Sequence, residues 1–290
     1  MTDLLRGQFA SETVSRHFDD AALLAALARF EAALAAAQAD AGVVPRTAAQ
    51  AIGRVCAARF GAGVDAGAAN GGAGPGTAAG AADPFDPAAL AAAARRAGTL
   101  AIPFVRALTD AVAREDAQAA RWVHWGATSQ DAIDTALALA ASAAGGELAA
   151  RLARTGDALA RLADTHRATM LAGRTLLQPA APVPFGWKAA SWLSPLVRTR
   201  AALAHALEEA RVLQLGGAAG TRAALRGAGD AGATPLAARL GLADPGESWH
   251  GSRDRVARLG AELALAAGAM ARIGRDRAQL MQGEVGEAIE

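Results

Sequence analysis

Tyrosine is absent from this chain, cysteine and lysine occur once each, and aromatic residues make up only 4%. With Cys56 alone, neither an intrachain disulfide nor a CxxC metal site can form, and the residue reads as a small core hydrophobe. With Lys188 the single lysine, arginine supplies almost all the positive charge, and the formal net charge is only +1. A dedicated nucleic-acid binder would show a basic patch or stripe, so that class is excluded and the arginines read as solvated helix faces and ion pairs. No pair of histidines has HExxH spacing and no carboxylate cluster accompanies them, so no metal site is expected. The N-terminal stretch MTDLLRGQFASETVSRHF lacks the apolar core of a signal peptide, and no uncharged run is long enough to span a bilayer. These absences leave a cytoplasmic protein with no membrane partner as the expectation.

What the chain has is alanine and leucine at helical spacing over 290 residues, enough for a large core or two domains. Strong helix formers dominate and no alternating strand pattern is evident, so the fold class predicted is all-α. Leu23, Leu27, Phe30 and Leu34 place a helix over 19–40, stopped at AGVVP by the proline. A second helix is predicted over 47–59, and further helices at DPAALAAAARRAG and after Pro103. Residues 61–82, GAGVDAGAANGGAGPGTAAGAA, are too poor in large apolar side chains to offset their ordering entropy and read as a flexible insertion.

Beyond residue 130 the spacing lengthens. Leu148, Leu152, Thr155, Leu159 and Leu162 form one seam. Leu196, Leu203, Leu207 and Ala210 form a second, on a helix expected over 194–215. Val256, Leu259, Leu263, Ala266, Met270, Ile273 and Leu280 form a third. Three such seams predict a bundle of nearly antiparallel long helices and suit association between subunits. The domains expected are an N-terminal helical one, 1–110, carrying the 61–82 insertion, and the long-helix bundle, 111–290.

Four polar stretches interrupt the apolar pattern. RWVHWGATSQDAID, residues 121–134, is the densest. With Thr128 as N-cap, Asp131 falls at the third helical position, a variant of the capping box. A capped helix start accounts for Thr128, Ser129 and Asp131 but leaves His124 over. The other reading is a carboxylate or phosphate site at a helix N-terminus, lined by hydroxyl and amide donors with His124 beside it. MLAGRTLLQPAAPVPFGWKAASWL, 170–193, reads as a loop joining two bundle helices, with Gln178 satisfying backbone groups. LQLGGAAGTRAAL, 213–225, has glycines able to cradle a phosphate, yet no P-loop lysine and no preceding strand. ESWHGSRDR, 247–255, precedes the last long helix. His17, His166 and His205 sit singly on helical stretches and read as surface or packing residues.

Together these stretches resemble the fumarase/aspartase superfamily, and within it the cycloisomerase branch. VHWGATSQDAIDTALAL is the most specific match, supported in order by LAGRTLLQPAAPVPFGWKAASWL and QLGGAAGTRAAL, and the likeness runs from FDDAALLAALARFEAALAAAQADAGVVP to RDRAQLMQGEVGE. The resemblance implies a tetramer of helical protomers whose active sites each borrow segments from three subunits. It implies a small di- or tricarboxylate substrate, a carboxymuconate closing to a lactone, with no metal or organic cofactor. His124, Thr128, Ser129, Gln130, Thr175 and Gln178 then bind substrate, with Arg174 and Arg253 as secondary candidates. Lyases of the superfamily usually read GRTH, where this chain reads GRTL; Leu176 cannot move a proton, which favours the cycloisomerase branch over an adenylosuccinate lyase-like β-elimination.

The match departs in two places. HGSR at 250–253 stands where relatives commonly carry threonine and glutamine before the arginine. The family's serine-bearing loop, roughly GSSxMPxKxNP, follows the equivalent of QGEVGEAIE; its place falls beyond Glu290, and residues 1–290 do not contain it. No catalytic residue is therefore assigned. The expectation is a bundle incomplete at its C-terminal end and a chain inactive alone, with a non-catalytic helical scaffold as the reading from another class.

Overall fold

The computed structural model describes residues 7, 8, 10–61, 83–225 and 229–289. The expected insertion at 61–82 lies, after Gly61, outside the described residues. Glu290, past which the resemblance puts the serine-bearing loop, lies outside them too, so that expectation has no structural counterpart here. In chain order the elements are α1 (Glu12–Ser15), α2 (Asp20–Asp40), α3 (Arg46–Phe60), α4 (Pro87–Ala97), α5 (Ala101–Glu115), α6 (Ser129–Thr165), β1 (Met170–Thr175), β2 (Gln178–Pro184), α7 (Phe185–Ala210), α8 (Gly229–Leu240) and α9 (Asp254–Leu280). Two compact units divide them. Unit 1 holds residues 1–144 and 211–253, and unit 2 holds 145–210 and 254–290. The boundary near 110 read from the sequence lies within α5, and the two compact units divide the chain within α6.

Unit 1 is organised around α2. Asp19 caps it by accepting from the Ala22 N–H at 2.7 Å, and Leu24, Leu27, Phe30 and Leu34 are buried along it. Burying one such leucine or phenylalanine completely contributes about 1.5–3 kcal/mol. Against α2 pack α3 and α8, while Phe60, Phe85 and Phe104 form an aromatic cluster with centroids 5.0–5.9 Å apart. Asp86 caps α4 with Pro87 in its first turn, and Gly98 ends that helix in the left-handed region at φ 75°.

In unit 2, α7 and α9 pack along each other. The helix expected at 194–215 begins earlier, at Phe185, and ends at Ala210. Pro195 sits inside it, where a proline lacks the N–H for the carbonyl four residues back. That carbonyl belongs to Ser191, and Arg272 of α9 donates to it at 3.1 Å, so the helix continues through the proline. After Ala210 the chain leaves the helix, and Val212 bridges to Ala243 in unit 1. Only alternate positions of the α9 seam are covered: Leu259, Ala266 and Leu280 are buried, whereas Val256, Leu263 and Met270 are exposed.

One expectation needs correction. Helix predominates, but Met170–Thr175 and Gln178–Pro184 form an antiparallel hairpin instead of a loop. Its three prolines mask a strand pattern in sequence, and an isolated pair with solvent on both faces need not alternate. By length and composition alone α6 is long and apolar enough to cross a membrane, although Asp131, Asp134, Glu147 and Arg151 lie along it. Its hydropathy comes mostly from alanine, and a helix packed within a bundle passes the same test.

Candidate functional site

The turn at 121–131 is built from both sides. A single 3-10 turn, Ala119–Trp122, delivers the chain, and the Trp122 and Trp125 rings stack at a tilt, 4.9 Å apart. His124 then adopts φ 58° and Gly126 φ 73°. A Cβ at 126 would come 2.8 Å from Leu225 Cδ2, the movable end of a side chain, so it is chiefly the positive φ that calls for glycine. The left-handed geometry at His124 costs about 1–2 kcal/mol, and α2 holds it in place. Glu31 meets His124 Nδ1 at 2.6 Å, and Gln38 Nε2 donates to the Trp125 carbonyl at 2.7 Å.

On the far side the turn is anchored by Asp131. Its carboxylate is fully buried and accepts four hydrogen bonds of 2.9 Å, from the N–H groups of Thr128, Gly216 and Gly217 and from Gln214 Nε2. The Thr128 bond is the reciprocal half of the capping box. The glycines of 213–225 therefore cradle a carboxylate of their own chain, and their N–H groups are not free for a phosphate. Gln214 continues the network, donating to Ser248 Oγ at 2.9 Å and accepting from the Trp249 N–H at 2.8 Å. A turn further along α6, Asp134 accepts from both terminal nitrogens of Arg253, at 2.6 and 2.9 Å. Three of the four polar stretches thus meet in unit 1.

The groups left over carry the candidate chemistry. The side chains of Thr128, Ser129 and Gln130, and the Nε2 of His124, have no hydrogen-bonding partner among the described residues. They gather around the N-terminus of α6, where the Asp131 N–H donates to the Thr128 carbonyl and the Ser129 and Gln130 N–H groups precede the first intrahelical acceptor. Burial of the imidazole opposes its protonation, but Glu31 and, less strongly, Asp131 outweigh that and raise its pKa above the ordinary histidine value. Four neutral or cationic donors on one turn suit an anion with oxygens to share, such as a carboxylate.

Arg253, exposed along part of its side chain, lies over Trp249 at 5.2 Å and is committed to Asp134. In unit 2, Thr175 and Gln178 are the last ladder pair of the hairpin, both exposed, with side chains unpartnered among the described residues. Between them Leu176 and Leu177 form the two-residue connection at φ 49° and 63°. Arg174 donates to Glu287 at 2.6 Å, and that hydrogen bond, chief among the causes, lowers the pKa of the carboxyl. Arg174 also lines a cavity of about 770 Å³ with Lys188, Arg272 and Asp276. Asp276 accepts from Trp192 Nε1 at 2.7 Å and pairs with Lys188 at 3.1 Å; against the effect of burial, these contacts lower its pKa.

Glu31, Gln38, Asp134 and Gln214 were not singled out from the sequence. A signal did exist for the first two: they are the polar residues of the otherwise apolar run FEAALAAAQA, seven apart.

A family model described as Lyase matches residues 2–290. The 3-carboxy-cis,cis-muconate cycloisomerase of Bradyrhizobium diazoefficiens is 43% identical over the whole chain and 59% of its own length. The nitrosuccinate lyase of Streptomyces davaonensis is 42% identical over 97% of the chain and 56% of its own. The solved 3-carboxy-cis,cis-muconate lactonizing enzyme from Pseudomonas putida superposes with a TM-score of 0.86 at 38% identity, covering 98% of this chain and 59% of that one. The chain spans less than two thirds of the length of these relatives.

Proposed function

The chain belongs to the lyase family, and on that premise we propose that it is part of a cycloisomerase that lactonises 3-carboxy-cis,cis-muconate. The observation that carries the reading is the set of unpartnered donors at the start of α6: His124 Nε2, the hydroxyls of Thr128 and Ser129, and the Gln130 amide. In the reaction a substrate carboxylate oxygen adds to a carbon–carbon double bond and closes the ring, and the neighbouring carbon takes a proton. Negative charge builds into the carboxylate adjacent to that carbon before the proton arrives. Fixed donors aimed at that carboxylate lower the barrier, because they need no reorganisation as charge develops. Thr175 and Gln178 join them in this reading from the hairpin of a neighbouring copy, with Arg174 in support. The group that delivers the proton is not assigned to any residue of this chain.

A homotetramer in the cytoplasm is the assembly this reading calls for. The exposed positions of the α9 seam and the exposed Leu176 and Leu177 support it, since apolar side chains in such rows are covered when subunits associate. Leu176 also supports cycloisomerisation over an elimination that uses a histidine at that place. The second reading is β-elimination, favoured by the likeness to nitrosuccinate lyase. Incubation of the full-length protein with 3-carboxy-cis,cis-muconate and, separately, with nitrosuccinate decides between them. Loss of the muconate absorbance, abolished in Thr128→Ala/Ser129→Ala, is the expected outcome; nitrite release without lactone formation would replace it with the elimination.

A further inference from the structure

Glu31 is 1% exposed on a helix otherwise packed with alanine, leucine and phenylalanine, and one oxygen of its carboxylate has no hydrogen-bond partner among the described residues. Burying a carboxylate with a single partner is costly, and an apolar residue would pack against α3 and α8 at lower cost. Its one partner is His124 Nδ1, at 2.6 Å. Gln38, on the same face of α2, holds the backbone of the next residue, Trp125. Together the two fix both the side chain and the carbonyl of a turn whose backbone is left-handed at His124 and Gly126.

With Nδ1 engaged by Glu31, Nε2 is the ring nitrogen left for a ligand, on the same turn as Thr128 and Ser129. We propose that Glu31 is a positioning residue: it fixes the orientation of the His124 ring and makes it present a charged Nε2–H donor to a substrate carboxylate. The inference rests on reading this turn as the carboxylate site. The charged groups acting on the imidazole are Glu31 from α2 and Asp131 from α6, and both favour the protonated ring. Asp131 is already saturated by four donors, so Glu31 is the carboxylate that acts on the ring directly.

The test uses the chain itself, Glu31→Gln and Glu31→Asp, with His124→Gln to assign the imidazole signals. Nitrogen-15 NMR follows the ring through a pH titration, and tricarballylate serves as the carboxylate probe. The expected result is a His124 midpoint about one unit lower in Glu31→Gln, a tenfold change in the charged fraction above it. Glu31→Asp should restore most of that shift. Tricarballylate affinity at pH 7 should fall by about threefold to fivefold in Glu31→Gln and recover near pH 5.5, where the ring is charged in either protein; a packing role would show no such recovery. Equal midpoints in the wild type and Glu31→Gln, with unchanged circular dichroism, would overturn the proposal. Should Glu31→Gln not fold, a wild-type ring that is neutral at pH 6.5 or protonated on Nδ1 alone overturns it equally. If tricarballylate leaves the amides of Ser129 and Gln130 unmoved while His124 still responds to Glu31, the carboxylate reading of the turn fails instead, and the presented donor with it.

Discussion

In unit 1 the turn at 121–131 is gripped by Glu31 and Gln38 on one side and by Asp131, with its four donors, on the other. In unit 2 the hairpin at 170–184 has its ladder, a bulge at Gly173 and the Arg174–Glu287 pair, and its tip projects two leucines that are 92% and 74% exposed. Both segments hold hydroxyls and amides without partners. The difference is what surrounds them: a buried polar network sets the geometry of the first, while backbone pairing and one exposed contact from Glu287 set that of the second. A segment of the first kind is ready for its ligand before the ligand arrives, and the preorganisation is visible as buried side chains that do nothing but hold others.

The largest effect should come from breaking the network at its centre. Asp131→Ala leaves three buried N–H groups and the Gln214 amide without their acceptor, at about 1–3 kcal/mol each before relaxation. A loss of at least about 3 kcal/mol is expected in urea unfolding. Thr175→Ala or Gln178→Ala, at the exposed end of the hairpin, should stay within about 0.5 kcal/mol of the wild type. Equal losses in the two regions would erase the contrast.

Next in size is Gly173→Ala. A Cβ there would run into the carbonyl oxygen of Ala181 on the partner strand, a backbone atom that cannot swing aside. Overpacking of this kind costs about 1–3 kcal/mol. Hydrogen exchange of the β1 and β2 amides should quicken, while the protection of α2 and α3 should not change. Slower or unchanged exchange in the hairpin would show that the bulge accommodates a methyl group.

These two positions also show how much was legible beforehand. Asp131 was visible as a capping residue from its spacing to Thr128, because caps are local and read within four residues. Its second role, as the anion that the 216–217 glycines enclose, depends on contacts more than eighty residues apart and has no local signature. The helices at 19–40, 47–59 and 87–97 were placed within about a residue, since N-cap Asp19, Pro45 and Gly98 act locally, whereas α5 begins before Pro103 and α8 was not foreseen. The start of α7 was not, because Pro195 reads as a helix boundary until Arg272, on another helix, supplies the donor that its neighbouring turn needs. His124, Thr128 and Ser129 were legible as chemistry; Glu31, which holds the histidine, was hidden inside a helix that looked entirely like core.

A smaller and opposite effect is expected at the hairpin tip. Two consecutive positive-φ residues define a type I′ connection, which favours Asn-Gly, and leucine pays about 1–2 kcal/mol for the left-handed region. Leu176→Asn/Leu177→Gly should raise stability by about 1 kcal/mol or more, read as a higher melting temperature of the chain. If subunit association uses the leucines, the same variant should weaken it in sedimentation, and the two effects would then separate tip strain from tip contact. A lower melting temperature with unchanged association would mean that the leucines are held by contacts within unit 2.

The smallest effect belongs to the charge on His124, and its sign can be worked out. The ring's pKa is raised in the folded protein by Glu31 and Asp131, against the opposing effect of burial. A group with a raised folded pKa contributes stability that is full below its unfolded value, about 6.5, and is lost as pH climbs through the folded one. His124→Asn removes the charge while keeping a side chain that tolerates φ near 58°. The other four histidines are present in both proteins, so their contributions largely cancel in the difference. The wild type should therefore exceed His124→Asn by more at pH 5.5 than at pH 8.5 in urea midpoints. A gap that is constant with pH would mean that Glu31 holds a neutral imidazole, and the turn would then be preorganised in shape but not in charge.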